Sequence, residues 1–129
     1  MITQYKIQKD VGGYNNFGLQ VSNTKYSATL AAATDTTLTV PSASAMGVPV
    51  GQKSHILALV TVEYGEEVWF ALNATAAAPV GGTFAATNSE QIVGGQDFAR
   101  EVVGGDVLHF FNTSGNVDVS VVFYALPAS

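Results

Sequence analysis

The side chains able to do acid–base, nucleophilic or metal chemistry are few and far apart. There is no cysteine, and the only histidines are His55 and His109. A thiol nucleophile, a disulfide framework and a cysteine metal site are therefore excluded. No G-x-S-x-G elbow surrounds any serine, so a hydrolase nucleophile has no local signature. His55 stands beside Ile56, and His109 lies between Leu108 and Phe110. No carboxylate sits at a spacing that would orient either ring, and a lone histidine in an apolar strand is more often structural than a base. The close histidine pair of a metal-dependent cupin is missing. Calcium on carboxylates and carbonyls stays open, although Glu90, Asp97, Glu101, Asp106 and Asp118 match no calcium loop. The expectation is no catalytic residue, no cofactor and no metal site.

Other candidate chemistry is equally sparse. Glu66 and Glu67 are adjacent, so a strand points them to opposite faces and they read as turn-tip solubilisers. Asn73-Ala74-Thr75 and Asn112-Thr113-Ser114 match the glycosylation pattern, which carries little weight without a secretory signal. Residues 1–7 show no basic segment followed by an apolar one, so no such signal is expected. Trp69, Tyr64 and Tyr14 are candidate sugar platforms, but nothing in the sequence brings them together. Val-Gly-Gly occurs four times, ending at Gly13, Gly82, Gly95 and Gly105. Paired glycines reverse a chain cheaply, and the helix that a phosphate-cradling loop requires is absent.

These residues must be carried by strands. Val, Thr and aromatics recur in short runs bounded by Gly, Pro, Asn or Asp. The runs predict strands near residues 2–8, 17–21, 26–32, 36–40, 54–63, 67–73, 98–103, 106–112 and 117–126, with a shorter one at Glu90–Val93. No window shows helical periodicity with caps. The expected fold is all-β: one single-domain antiparallel β-sandwich, jelly-roll-like, of about eight strands. Residues 1–16 form an N-terminal arm or edge strand, and 17–129 the sandwich. The segment 2–8 has no cleanly apolar face. It is expected either to augment a neighbour's sheet through Ile2, Tyr5 and Ile7 or to serve as an ordinary edge strand.

Composition narrows the partners. Hydrophobic residues make up 47% of the chain and charged residues 12%, with a formal net charge of −5. So much apolar surface excludes disorder. Five Lys and Arg against ten Asp and Glu argue against nucleic acid as a partner. The apolar run 56–62 is too short to span a membrane as a helix. With so little charge, much of the exterior must be Ser, Thr, Asn, Gly and Ala, or be covered by protein.

The C-terminal third predicts where that cover lies. A hairpin at Gly104-Gly105 sets Val102 opposite Val107 and Arg100 opposite His109. A turn at 113–116 sets Phe110 opposite Val119 and Leu108 opposite Val121. One face of this meander is then core: Leu108, Phe110, Val117, Val119, Val121 and Phe123. The other mixes aromatics with polar groups, the composition of a protein interface. It includes Phe98, Arg100, Val102, His109, Phe111 and Tyr124, which are the expected oligomer or partner contacts. Trp69, predicted on the non-core face of its strand, joins them. One conflict remains: this register turns Glu101 inward, and a slip of one residue turns Arg100 inward instead, so a bulge or a sheet edge must resolve it. The strand 54–63 is apolar on both faces and reads as a central strand covered on two sides.

From Trp69-Phe70-Ala71-Leu72-Asn73 through Pro79-Val80-Gly81-Gly82, Asn88-Ser89-Glu90, Arg100-Glu101-Val102 and Gly105-Asp106-Val107-Leu108 to Val121-Val122-Phe123-Tyr124-Ala125-Leu126, the chain resembles the head decoration or cement proteins of tailed bacteriophages. The resemblance covers roughly the C-terminal 60 residues and is one of pattern. It implies a jelly roll or related sandwich, a homotrimer seated on the outside of the icosahedral shell, and contacts with the major capsid protein. It implies production in the host cytoplasm, a place on the virion surface, and no catalysis. A phage tail or fibre tip and a carbohydrate-binding module are the alternatives. A small β-barrel enzyme would need a histidine beside a carboxylate in an open cleft.

Overall fold

The computed structural model describes residues 22–49, 51, 54–79, 89–96 and 98–127. Among these residues eight strands follow one another: β1 Lys25–Leu30, β2 Thr36–Thr39, β3 Ser54–Val62, β4 Glu67–Leu72, β5 Glu90–Val93, β6 Phe98–Val102, β7 Val107–Phe111 and β8 Val117–Pro127. There is no helix among the described residues. The strands form two antiparallel four-stranded sheets, ordered β1-β8-β3-β6 and β2-β7-β4-β5. First pairs with last, second with seventh, third with sixth and fourth with fifth. That is a long two-stranded ribbon rolled over itself, the jelly-roll winding of a sandwich. The contacts β3·β8 and β4·β7 close each sheet.

Alternation along the strands builds the core. Ile56, Ala58, Val60 and Val62 of β3 and Val117, Val119, Val121 and Phe123 of β8 point inward and are buried. Val68, Phe70, Ile92, Leu108 and Phe110 answer from the other sheet. Each of the Val, Ile, Leu and Phe side chains contributes on the order of 1.5–3 kcal/mol when fully buried. Phe70 links the layers: its ring lies 5.5 Å from Phe98 and 5.4 Å from Phe110. Met46, inside a tight turn, and Val48, just after it, join this core; the turn is closed by Val48 N–H donating to Ala43 O at 3.0 Å.

The sandwich, its strand count and the central place of β3 match the sequence reading. The meander does not. Strands β6, β7 and β8 do not pair with one another; they alternate between the sheets. In β6, Phe98 lies opposite Val60, Arg100 opposite Ala58 and Val102 opposite Ile56. Gly104-Gly105 turns the chain as expected, with Gly105 at φ 92°, but it leads from one sheet across to the other. The crossing is held by Gly105 N–H on Val40 O at 3.0 Å, Val40 N–H on Asp106 O at 2.8 Å and Val103 N–H on Asp106 Oδ2 at 2.9 Å. Paired glycines specify a reversal but not a pairing partner. The arm at 1–16 with Ile2, Tyr5 and Ile7, the strand at 17–21, and the turns at Gly13 and Gly82 lie outside the described residues.

Candidate functional site

The residues expected to share one interface fall in four places. Phe98 and Val102 are core residues, 9% and 4% exposed. Paired with inward-facing Val60 and Ile56, they cannot contact a partner from an outer face. Arg100 faces inward too, at the rim of edge strand β6, and reaches across the seam to Glu90 of β5 in the other sheet. That resolves the conflict between Arg100 and Glu101: the sheet edge lets Arg100 point inward yet stay wet. Glu101 turns outward and pairs with His55 on the same surface, both exposed.

Tyr124 lies on the outer face of the β1-β8-β3-β6 sheet. It stands opposite Leu57, and its strand-mate Val122 stands opposite Leu59. Leu57, Leu59 and Val122 are half-buried and Tyr124 is buried. One half of this outer surface is therefore apolar.

Trp69, His109 and Phe111 do come together, on the outer face of the β2-β7-β4-β5 sheet. Trp69 pairs in register with Phe111, and Ala71 with His109. Trp69 is outward-facing as expected and only 5% exposed. His109 Nδ1 lies 2.7 Å from Asp35 Oδ2. Asp35 Oδ1 accepts the Ala76 N–H at 3.0 Å, and Ser89 Oγ accepts the Ala77 N–H at 3.1 Å. The chain leaving β4 is thereby strapped down between the approaches to β2 and β5, with Ala76 buried. The carboxylate that orients His109 is shared between the imidazole and the strap, so the pair acts here as a fastener.

Both histidines thus have carboxylate partners that sequence spacing did not suggest. Those partners are 74 and 46 residues away, and only the fold brings them near. Among the described residues, no group of three or more His, Asp and Glu side chains could hold a metal ion. The two Asn-x-Ser/Thr patterns have structural employment. Asn112 is buried, accepts from Ser114 N–H at 2.9 Å and Gly115 N–H at 2.6 Å, and donates to Glu67 O at 2.7 Å. Asn73 accepts from Val107 N–H at 2.8 Å and donates to Asp106 Oδ1 at 3.1 Å.

The arrangement offers two partly apolar sheet faces and a latched seam. No helix among the described residues is long and apolar enough to cross a membrane. No protein-family model, no curated protein and no solved structure matches this chain.

Proposed function

We propose that the protein is a structural assembly subunit: a homotrimer that decorates or cements the head of a tailed phage by seating on its major capsid protein. The observation that supports this reading is the outward apolar row of Leu57, Leu59 and Val122, half-buried and adjoining the buried Tyr124. Outer positions of a sandwich strand alternate with core positions and are ordinarily polar. Partly exposed apolar side chains grouped on one sheet face suit a protein contact, and a chain with 12% charged residues has few charges to spare for such a face. Three copies held together would engage three shell sites, so modest contacts gain avidity.

The test is the mass of the full chain in solution by light scattering at tens of micromolar. The expected result is three times the 13.4 kDa chain, falling to one chain in Leu59→Asp. A monodisperse wild-type monomer overturns the reading. The seat on the head has its own test: a tagged copy in virion micrographs. Label over the shell supports decoration, and label at the tail overturns it in favour of a fibre tip.

A further inference from the structure

The polar half of the β1-β8-β3-β6 outer face is not a random solvated surface. Strand register lays it out as two rows across three strands. Ser27, Ser120 and Thr61 form one row, since Ser120 lies opposite both of the others. Thr29, Asp118 and Glu63 form the next: Thr29 is opposite Asp118, and Glu63 N–H donates to Asp118 O at 3.0 Å. Neighbouring strands stand about 4.8 Å apart, so the grid presents hydroxyls and carboxylates at regular spacing. The acidic row is fixed in place. Thr29 Oγ1 donates to Asp118 Oδ1 at 2.6 Å, and Glu63 Oε2 accepts the Asp118 N–H at 3.2 Å. These bonds leave each carboxylate with acceptor capacity to spare.

An aromatic ring borders the grid. Tyr64, two residues past the end of β3, is 88% exposed and lines the same open groove of about 840 Å³. Its ring rests on the Gly95 backbone, where a Cβ would come within 2.9 Å of ring carbon Cδ2. The β5–β6 turn thus serves as a bed for the ring, and glycine keeps the bed flat. An exposed, seated aromatic beside fixed acceptors and rotatable hydroxyls combines an apolar plate with hydrogen-bonding groups of both kinds. Sugars need that combination, because each pyranose has a C–H face and a rim of hydroxyls.

We infer that this groove binds a neutral oligosaccharide, with Tyr64 as the stacking plate and Asp118 and Glu63 as acceptors for sugar hydroxyls. Two carboxylates in one row repel sialylated, uronic or sulphated chains, which restricts the class to uncharged sugars. The inference does not rest on the assembly reading, and the groove residues are not those of the Leu57–Tyr124 patch.

The experiment is binding of the full chain to immobilised oligomers of glucose, N-acetylglucosamine, galactose and mannose, with sialylated and sulphated glycans alongside. EDTA is included to exclude a metal bridge. Saturable binding to at least one neutral oligomer is expected. Tyr64→Ala should weaken it about tenfold or more, and Asp118→Asn about three- to tenfold. Val103→Ser, an exposed site elsewhere, should leave it unchanged. Thermal melts establish that each variant is folded, which the exposure of Tyr64 favours. Absence of binding to every neutral oligomer, a preference for anionic glycans, or binding indifferent to both groove substitutions overturns the inference. The solution mass is read separately, so failure here leaves the trimer question untouched, and the reverse holds too.

Discussion

Arg100 and Glu90 clasp the two sheets together across one open seam of the sandwich: Nη2 lies 2.9 Å from Oε1 and Nε 3.2 Å from Oε2. The guanidinium also lies 4.0 Å from the centroid of the Phe98 ring, so the clasp lids a core aromatic. The hydrogen bond that Arg100 donates to Glu90 is the largest cause holding the Arg100 pKa above its ordinary value. Both partners are about half exposed, 45% and 51%, so the pair is worth only about 0.5–1 kcal/mol. A double-mutant cycle on Arg100→Met and Glu90→Gln, read by denaturant melts, should return a coupling of that size. The coupling should shrink in 1 M salt. A group with a raised folded pKa stabilises fully below its unfolded pKa, and the contribution is lost as pH rises through the folded one. Alkaline titration to about pH 10 should therefore leave the coupling intact on the arginine side.

Two glycines of the same Val-Gly-Gly type should respond very differently to alanine. A Cβ on Gly94 would overlap the Glu63 carbonyl oxygen, because the β5–β6 turn packs directly on the β3–β4 turn. Gly105 has φ 92° but nothing within 4 Å of a built Cβ. Gly105→Ala should cost about 1–2 kcal/mol from backbone strain alone. Gly94→Ala, facing an immovable backbone atom, should cost about 2–4 kcal/mol. Thermal melts of the two variants side by side decide it.

Asn112→Ala should be among the most damaging polar substitutions. It strips the acceptor from two backbone N–H groups and the Ser114 hydroxyl, and the donor from Glu67 O. Losing a buried hub of this kind costs about 2–3 kcal/mol, measurable by chemical denaturation.

The Asp35 fastener acts locally. Asp35→Ala removes the acceptor for the Ala76 N–H and the partner of His109. The global cost should be about 1–2 kcal/mol. Amide exchange should accelerate selectively in residues 74–78 while the β3 and β8 amides stay protected. Uniform acceleration across both sheets would contradict the strap.

Strand positions and inward faces were legible because alternation depends on local residue order. Val117, Val119, Val121 and Phe123 announce a buried face wherever the strand sits in its sheet. Partners were not legible. Nothing local at Gly104-Gly105 distinguishes a hairpin from a crossing between layers, so Phe98 and Val102 were read as surface when they are core. The conflict over Arg100 and Glu101 was a trace of the true arrangement, since an inward arginine is tolerable only at a sheet edge. The polar grid is illegible in the sequence for the same reason. Ser27, Ser120 and Thr61 are distant in the chain and become a row only when β8 slots between β1 and β3.

That slot also orders events in time. β8 is the last described strand, yet it occupies the interior of its sheet, bonded to β1 on one side and β3 on the other. While it is still inside the ribosome, β1 has no neighbour and β3 has only β6. The β2-β7-β4-β5 sheet can pair before β8 emerges, but the β1-β8-β3-β6 sheet cannot be completed until it does, and its apolar edges are meanwhile at risk of pairing with other chains.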